Sequence, residues 1–176
     1  MNTITRRGLG LASALMMFAI AAPATHAASD AWITTKAKIA LLTTDGAGRT
    51  SVKVDTDHGK ITLHGKVDSQ AAKEKAENAV KTIDGVTGVR NLLQVVPESR
   101  EKAVKAADKD IREGVENALK RDKNLESVKV ESVDNGLVIL KGKTASLDYK
   151  LLAIETADAV PGVRHVVASQ VESNDK

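Results

Sequence analysis

The chain has 176 residues, no cysteine and 2% aromatics, and its formal net charge of +3 falls to +1 once Arg6 and Arg7 of the amino-terminal segment are set aside. Disulfides, thiolate metal sites and a lipid-modified cysteine are therefore excluded. Beyond residue 27 only Trp32 and Tyr149 are aromatic, so the chain lacks both the basic footprint and the stacking platforms of a nucleic-acid binder.

Residues 1–27 read as a signal peptide: Arg6 and Arg7, an apolar run from Gly8 to Ala22, then Thr25, His26 and Ala27 as small residues at a cleavage site. The run is shorter than the roughly 20 residues a spanning helix needs, so a soluble periplasmic protein is expected. From Asp30 on, apolar residues at Ile33, Ala37, Ala40 and Leu41 predict a helix with one buried stripe. Alternating Val52 and Val54, then Ile61 and Leu63, predict a hairpin turning at Asp57-His58-Gly59. A second helix follows on Ala72, Ala76, Ala79, Val80 and Ile83, ended by Gly85, and a strand over Val89 to Val96 closes the unit.

Glu98 to Lys109 is charged, alanine-rich and free of glycine, which predicts a stiff helical connector leading through Val104 and Ala107 to Ile111. The pattern then repeats. Gly59, Gly65 and Gly85 recur as Gly136, Gly142 and Gly162 in one register; Ile33, Ala37, Ala40 and Leu41 recur as Ile111, Val115, Ala118 and Leu119. The second hairpin pairs Val128 and Val130 with Val138 and Leu140 across Asp134-Asn135-Gly136, its second helix carries Tyr149, Ala153, Thr156, Ala157 and Val160, and its last strand covers Arg164 to Val171. The fold class is α+β: two tandem α-β-β-α-β domains over 28–96 and 108–171, joined by 97–107, with a tail at 172–176. Each is expected to be a three-stranded sheet with two helices on one face. The outward positions Lys53, Asp55, Thr62, His64, Lys129, Glu131 and Lys141 predict that the other face meets water. The glycines are assigned to structure, at hairpin and helix-end positions that need positive φ.

Three features carry a family resemblance: Asp30-Ala31-Trp32-Ile33-Thr34, the hairpin glycines Gly59 and Gly65, and Gly85-Val86-x-x-Val89-x-Asn91. Over nearly the whole mature part the chain resembles the BON domain of envelope proteins. The second unit keeps Gly162-Val163-x-x-Val166 and has Ala168 where the family often shows asparagine. The resemblance implies a non-enzymatic envelope stress or osmotic stress role exercised on phospholipid surfaces or periplasmic proteins. A chaperone-like hold on unfolded clients is the alternative, and an enzyme or metal protein the second.

Nothing in the residues points to catalysis, a cofactor, a metal or a small-molecule substrate. His58 and His64 beside Asp55 and Asp57 could suggest a metal cluster, but their repeat counterparts are Asn135 and Lys141, and both read as solvent-facing hairpin residues. Gly142-Lys143-Thr144 is no phosphate loop, because Leu137 stands where the first glycine is required. Chemistry that differs between the copies is more informative. Trp32, Ile39 and Leu42 face away from the first core stripe where unit two has Asp110, Asn117 and Lys120. Leu147, Leu151 and Ile154 do so where unit one has Gln70, Glu74 and Glu77. These six residues are the candidate interface, either docked between the units or against the connector, or exposed to lipid or unfolded polypeptide.

Overall fold

A computed structural model describes residues 29–44 and 52–174; the signal peptide expected over 1–27 lies outside them. Unit one runs α1 (Asp30–Leu42), β1 (Lys53–Asp57), β2 (Lys60–His64), β3 (Lys66–Val67), α2 (Gln70–Lys81), β4 (Gly88–Asn91) and β5 (Gln94–Val95). Unit two runs α3 (Glu98–Leu119), β6 (Val128–Asp134), β7 (Leu137–Thr144), α4 (Leu147–Asp158) and β8 (His165–Ser173). Serine hydroxyls open three of the helices: Ser29, Ser69 and Ser146 accept from the backbone N–H three residues on.

In each unit the middle strand pairs with both neighbours. β2 is antiparallel to β1 and parallel to β4, and β7 is antiparallel to β6 and parallel to β8. The helices cover one face. Ile33, Ala37 and Leu41 of α1 and Ala72, Ala76 and Val80 of α2 close over Val54, Ile61 and Leu63, and the same layer recurs in unit two as Ile111, Val115, Leu119, Ala153 and Ala157 over Val128, Val138 and Leu140. Each buried leucine, isoleucine or valine contributes about 1.5–3 kcal/mol of transfer free energy.

Both hairpins turn on two residues of positive φ, His58 (48°) with Gly59 (76°) and Asn135 (51°) with Gly136 (78°), the dihedrals of a type I′ turn. Each turn is gripped by an aspartate of the first helix of its unit. Asp30 accepts from the His58 and Gly59 amides at 2.8 and 2.8 Å, and Asp108 accepts from Asn135 and Gly136 at 3.0 and 3.0 Å.

The expected helical connector runs without a break into the first helix of unit two as α3, whose buried stripe is Val104, Asp108, Ile111, Val115 and Leu119. Four other expectations need correction. Asp108, not the exposed Ala107, bridges Val104 and Ile111, because its carboxylate is consumed by the hairpin. The last strand of unit one is broken after Asn91, whose side-chain amide donates to the Lys73 carbonyl and the Glu77 carboxylate while its oxygen accepts from Leu93 N–H. Its counterpart Ala168 offers no such bonds, and β8 runs on to Ser173, into the expected tail.

The fourth correction concerns the open sheet faces, which do not both meet water. Leu137, Ile139 and Val167 form a buried cluster on the far side of the unit-two sheet, with Leu92 of unit one packed against it. His64, expected at the surface, is fully buried. An irregularity between Val130 and Ser132 of β6 shifts the alternation, so Ser132 and Asp134 take the docked face and Glu131 is largely covered.

Candidate functional site

Two surfaces combine unusual chemistry with defined geometry. The first is the face on which the units meet. β2 ends in His64 and β1 presents Asp55 beside it, since Lys53 and His64 are partners in the antiparallel register and Asp55 lies two residues on. The imidazole Nε2 lies 2.8 Å from Asp55 Oδ2 within unit one. Its Nδ1 lies 3.0 Å from Ser132 Oγ and 3.9 Å from Asp134 Oδ2 in unit two. Gln170 of β8 donates to Asp55 at 2.8 Å. Lys66 crosses the other way, 2.8 Å from Asp108 and 4.0 Å from Asp134.

The electrostatics follow from that placement. Burial draws the His64 pKa down, but the negative charge of Asp134 and the hydrogen bond and charge of Asp55 outweigh it and hold the ring at about 9. Asp55 is held below the usual carboxylate value chiefly by its bond to His64. Burial raises the Asp134 carboxyl, yet His64, Ser132 and Lys66 together pull it below the usual value.

The second surface is the outer side of α1. Trp32, Ile39 and Leu42 are 53%, 58% and 74% exposed. Trp32 and Ile39 are two turns apart and so lie in one line, with Leu42 on the adjoining strip. Lys36 places its ammonium 5.1 Å from the Trp32 ring centroid, and Lys38 flanks the same helix. On α4, Leu147 and Leu151 are each 50% exposed, whereas Ile154 packs against the unit-two core with Tyr149 and Leu152. The six residues singled out by comparing the copies are therefore not one interface. None forms the apolar contact between the units, which rests on Leu92, Leu137, Ile139 and Val167.

His58 points outward, with its Nδ1 2.7 Å from Asp57 Oδ1 and its side chain 95% exposed, and it shares no ligand geometry with His64. Among the described residues no group of three or more His, Asp and Glu converges as a metal site, and no helix is long and apolar enough to cross a membrane.

The BON domain profile matches residues 29–97 and again 107–173. The chain belongs to the BON-domain family. As a double-BON protein it is similar to the osmotically-inducible protein Y of Escherichia coli (strain K12), 38% identical over 141 residues that cover 78% of this chain and 69% of that one. Among solved structures, the C-terminal domain of CdsD, a structural protein of the type III secretion system of Chlamydia trachomatis, is similar to it at a TM-score of 0.34 and 12% identity, covering 80% of this chain and 96% of that one. A second CdsD structure gives 0.34 and 11%, covering 79% and 90%. That likeness is too low to carry any argument about the double-BON chain.

Sequence reasoning missed Ser132, Asp134, Gln170, Lys66 and Asp108 as a cluster. One signal was present: Leu137 to Leu140 is an unbroken apolar run, the mark of a strand covered on both faces rather than one.

Proposed function

We propose that this double-BON chain is an exported, non-enzymatic protein of osmotic or envelope stress that binds anionic phospholipid surfaces through α1. The stress role comes from its similarity to the osmotically-inducible protein Y, and export from the charge and apolar pattern of residues 1–27. The observation that carries the binding reading is the exposed line of Trp32, Ile39 and Leu42 beside Lys36 and Lys38. Indole rings favour the boundary between headgroup and acyl chain, and lysines with apolar stems reach anionic headgroups while their carbons stay in the apolar layer.

Flotation of the mature protein with anionic and neutral liposomes tests this. Wild type rises with anionic vesicles, and a variant carrying Ile39→Glu and Leu42→Glu stays at the bottom, since both changes fall on exposed positions and leave the core intact. Trp32 is the sole tryptophan, so its emission shifts to the blue on vesicle binding. Wild type that fails to float, or a double variant that floats equally, overturns the reading. Suppression of client aggregation without lipid, lost in the same variant, would then assign α1 to unfolded polypeptide instead.

A further inference from the structure

Binding through α1 makes no use of the polar cluster between the units, and the geometry of that cluster is demanding. His64 is fully buried, and a carboxylate lies beyond each ring nitrogen, Asp55 of its own unit and Asp134 of the other. Ser132 Oγ, 3.0 Å from Nδ1, can donate to a neutral ring or accept from a charged one, but only the doubly protonated ring also places positive charge between the two carboxylates. Asp134 Oδ2 is buried and accepts no hydrogen bond among the described residues, so it depends on nearby positive charge. Its sources are His64 at 3.9 Å and, on the other oxygen, Lys66 at 4.0 Å.

We propose that His64 is a proton-operated latch: doubly protonated, it holds unit one on unit two, and neutral, it lets them part. Every packed element has a stake in that proton. Asp55 faces it from β1 and Asp134 from β6, both favouring the cation. Lys66 of β3 opposes it, but that ammonium is engaged by Asp108 of α3 at 2.8 Å. Glu131 of β6 is occupied by Lys141 of β7 and by Lys53 of β1 at 3.9 Å. From β8 comes only the uncharged Gln170. Two carboxylates thus face His64 against one shared lysine, and the apolar contact beside them is Leu92 against Leu137, Ile139 and Val167.

The docked ring is held at about 9, above the ordinary 6.5, and on parting it loses Asp134 but keeps Asp55 of its own unit. The part of the shift that belongs to docking is therefore present at low pH and is lost as pH rises through about 9. Asp55 and Asp134 sit below the ordinary 3.8, so their contribution is present above that value and is lost only as pH falls beneath it. Opening uncovers Leu92, Leu137, Ile139 and Val167 while α3 keeps the units tethered.

Small-angle scattering and NMR titration of the His64 ring, on the mature chain between pH 5 and 10, test the latch. The expected result is a constant radius of gyration up to about pH 8 and an expansion centred near 9, with far-ultraviolet circular dichroism unchanged because each unit stays folded. His64→Gln abolishes the step, and Asp134→Asn moves the ring titration down by at least tenfold in proton concentration. Compactness that persists to pH 10, a ring that titrates near 6.5, or a step that survives in His64→Gln overturns the proposal. Should His64→Gln fail to fold, the wild-type titration and the Asp134→Asn shift decide alone.

Discussion

At the scale of single residues, Gly142 has room for a hydrogen and nothing larger. A Cβ there would sit 2.0 Å from the Ser127 carbonyl oxygen, and the backbone is at φ +135°. Backbone cannot retreat as a side-chain tip can, so Gly142→Ala is expected to destabilise by about 3 kcal/mol or more, read as a lowered midpoint in urea. The six repeated glycines all have positive φ. The hairpin acids make a sharper comparison. Asp30 and Asp108 do the same work for their turns, but Asp108 is buried and also receives Lys66. Asp108→Ala leaves two amides and an ammonium without their partner, and is expected to remove about 2–4 kcal/mol of stability. Asp30→Ala, where water can replace the carboxylate, has the smaller effect; equal losses in the two variants would show that the Lys66 pair adds nothing.

At the scale of elements, α1 and α3 begin as the same helix in the two copies and end with different tasks. α1 has 13 residues and sends Trp32, Ile39 and Leu42 outward. α3 has 22, because the connector joins it without interruption. One helix spanning the boundary limits how the units can move, so coupling between them belongs partly to α3 and partly to the docked faces. Lys105→Pro, at an exposed position of α3, removes a helical hydrogen bond and clashes with the preceding turn, at a cost of about 3 kcal/mol. The expected outcome in calorimetry is one melting transition for the wild type and two for the variant. A single transition in both would assign the coupling to docking alone. Local periodicity made the helices and hairpins legible, since Ile33, Ala37 and Leu41 or Asn135-Gly136 encode their roles within a few residues. The ends were less legible. That the buried position between Val104 and Ile111 is Asp108 and not Ala107 depends on the hairpin amides, a contact 27 residues away.

For the whole molecule, what escaped the sequence was the relation between the copies. His64 on an edge of alternating polar residues has the pattern of a solvated position, and only a surface from another domain converts it into a buried one. Repeat counterparts show why that surface is not interchangeable. Where unit one has Asp55 and His64, unit two has Ser132 and Lys141, so the latch needs one copy of each. The differences between the copies divide in two: Trp32, Ile39 and Leu42 remain outside, while His64 and its partners lie where the halves meet.

The uneven split of apolar residues across the docked faces also bears on how the chain is made. Unit one contributes Asp55, Thr62, His64 and only Leu92, whereas Leu137, Ile139 and Val167 all belong to unit two. A polypeptide emerges amino end first, so the half that must wait uncovered is the one with a water-compatible face. The half with the sticky face arrives second, onto a template already folded, and its exposure to aggregation is confined to the time α3 needs to bring it home.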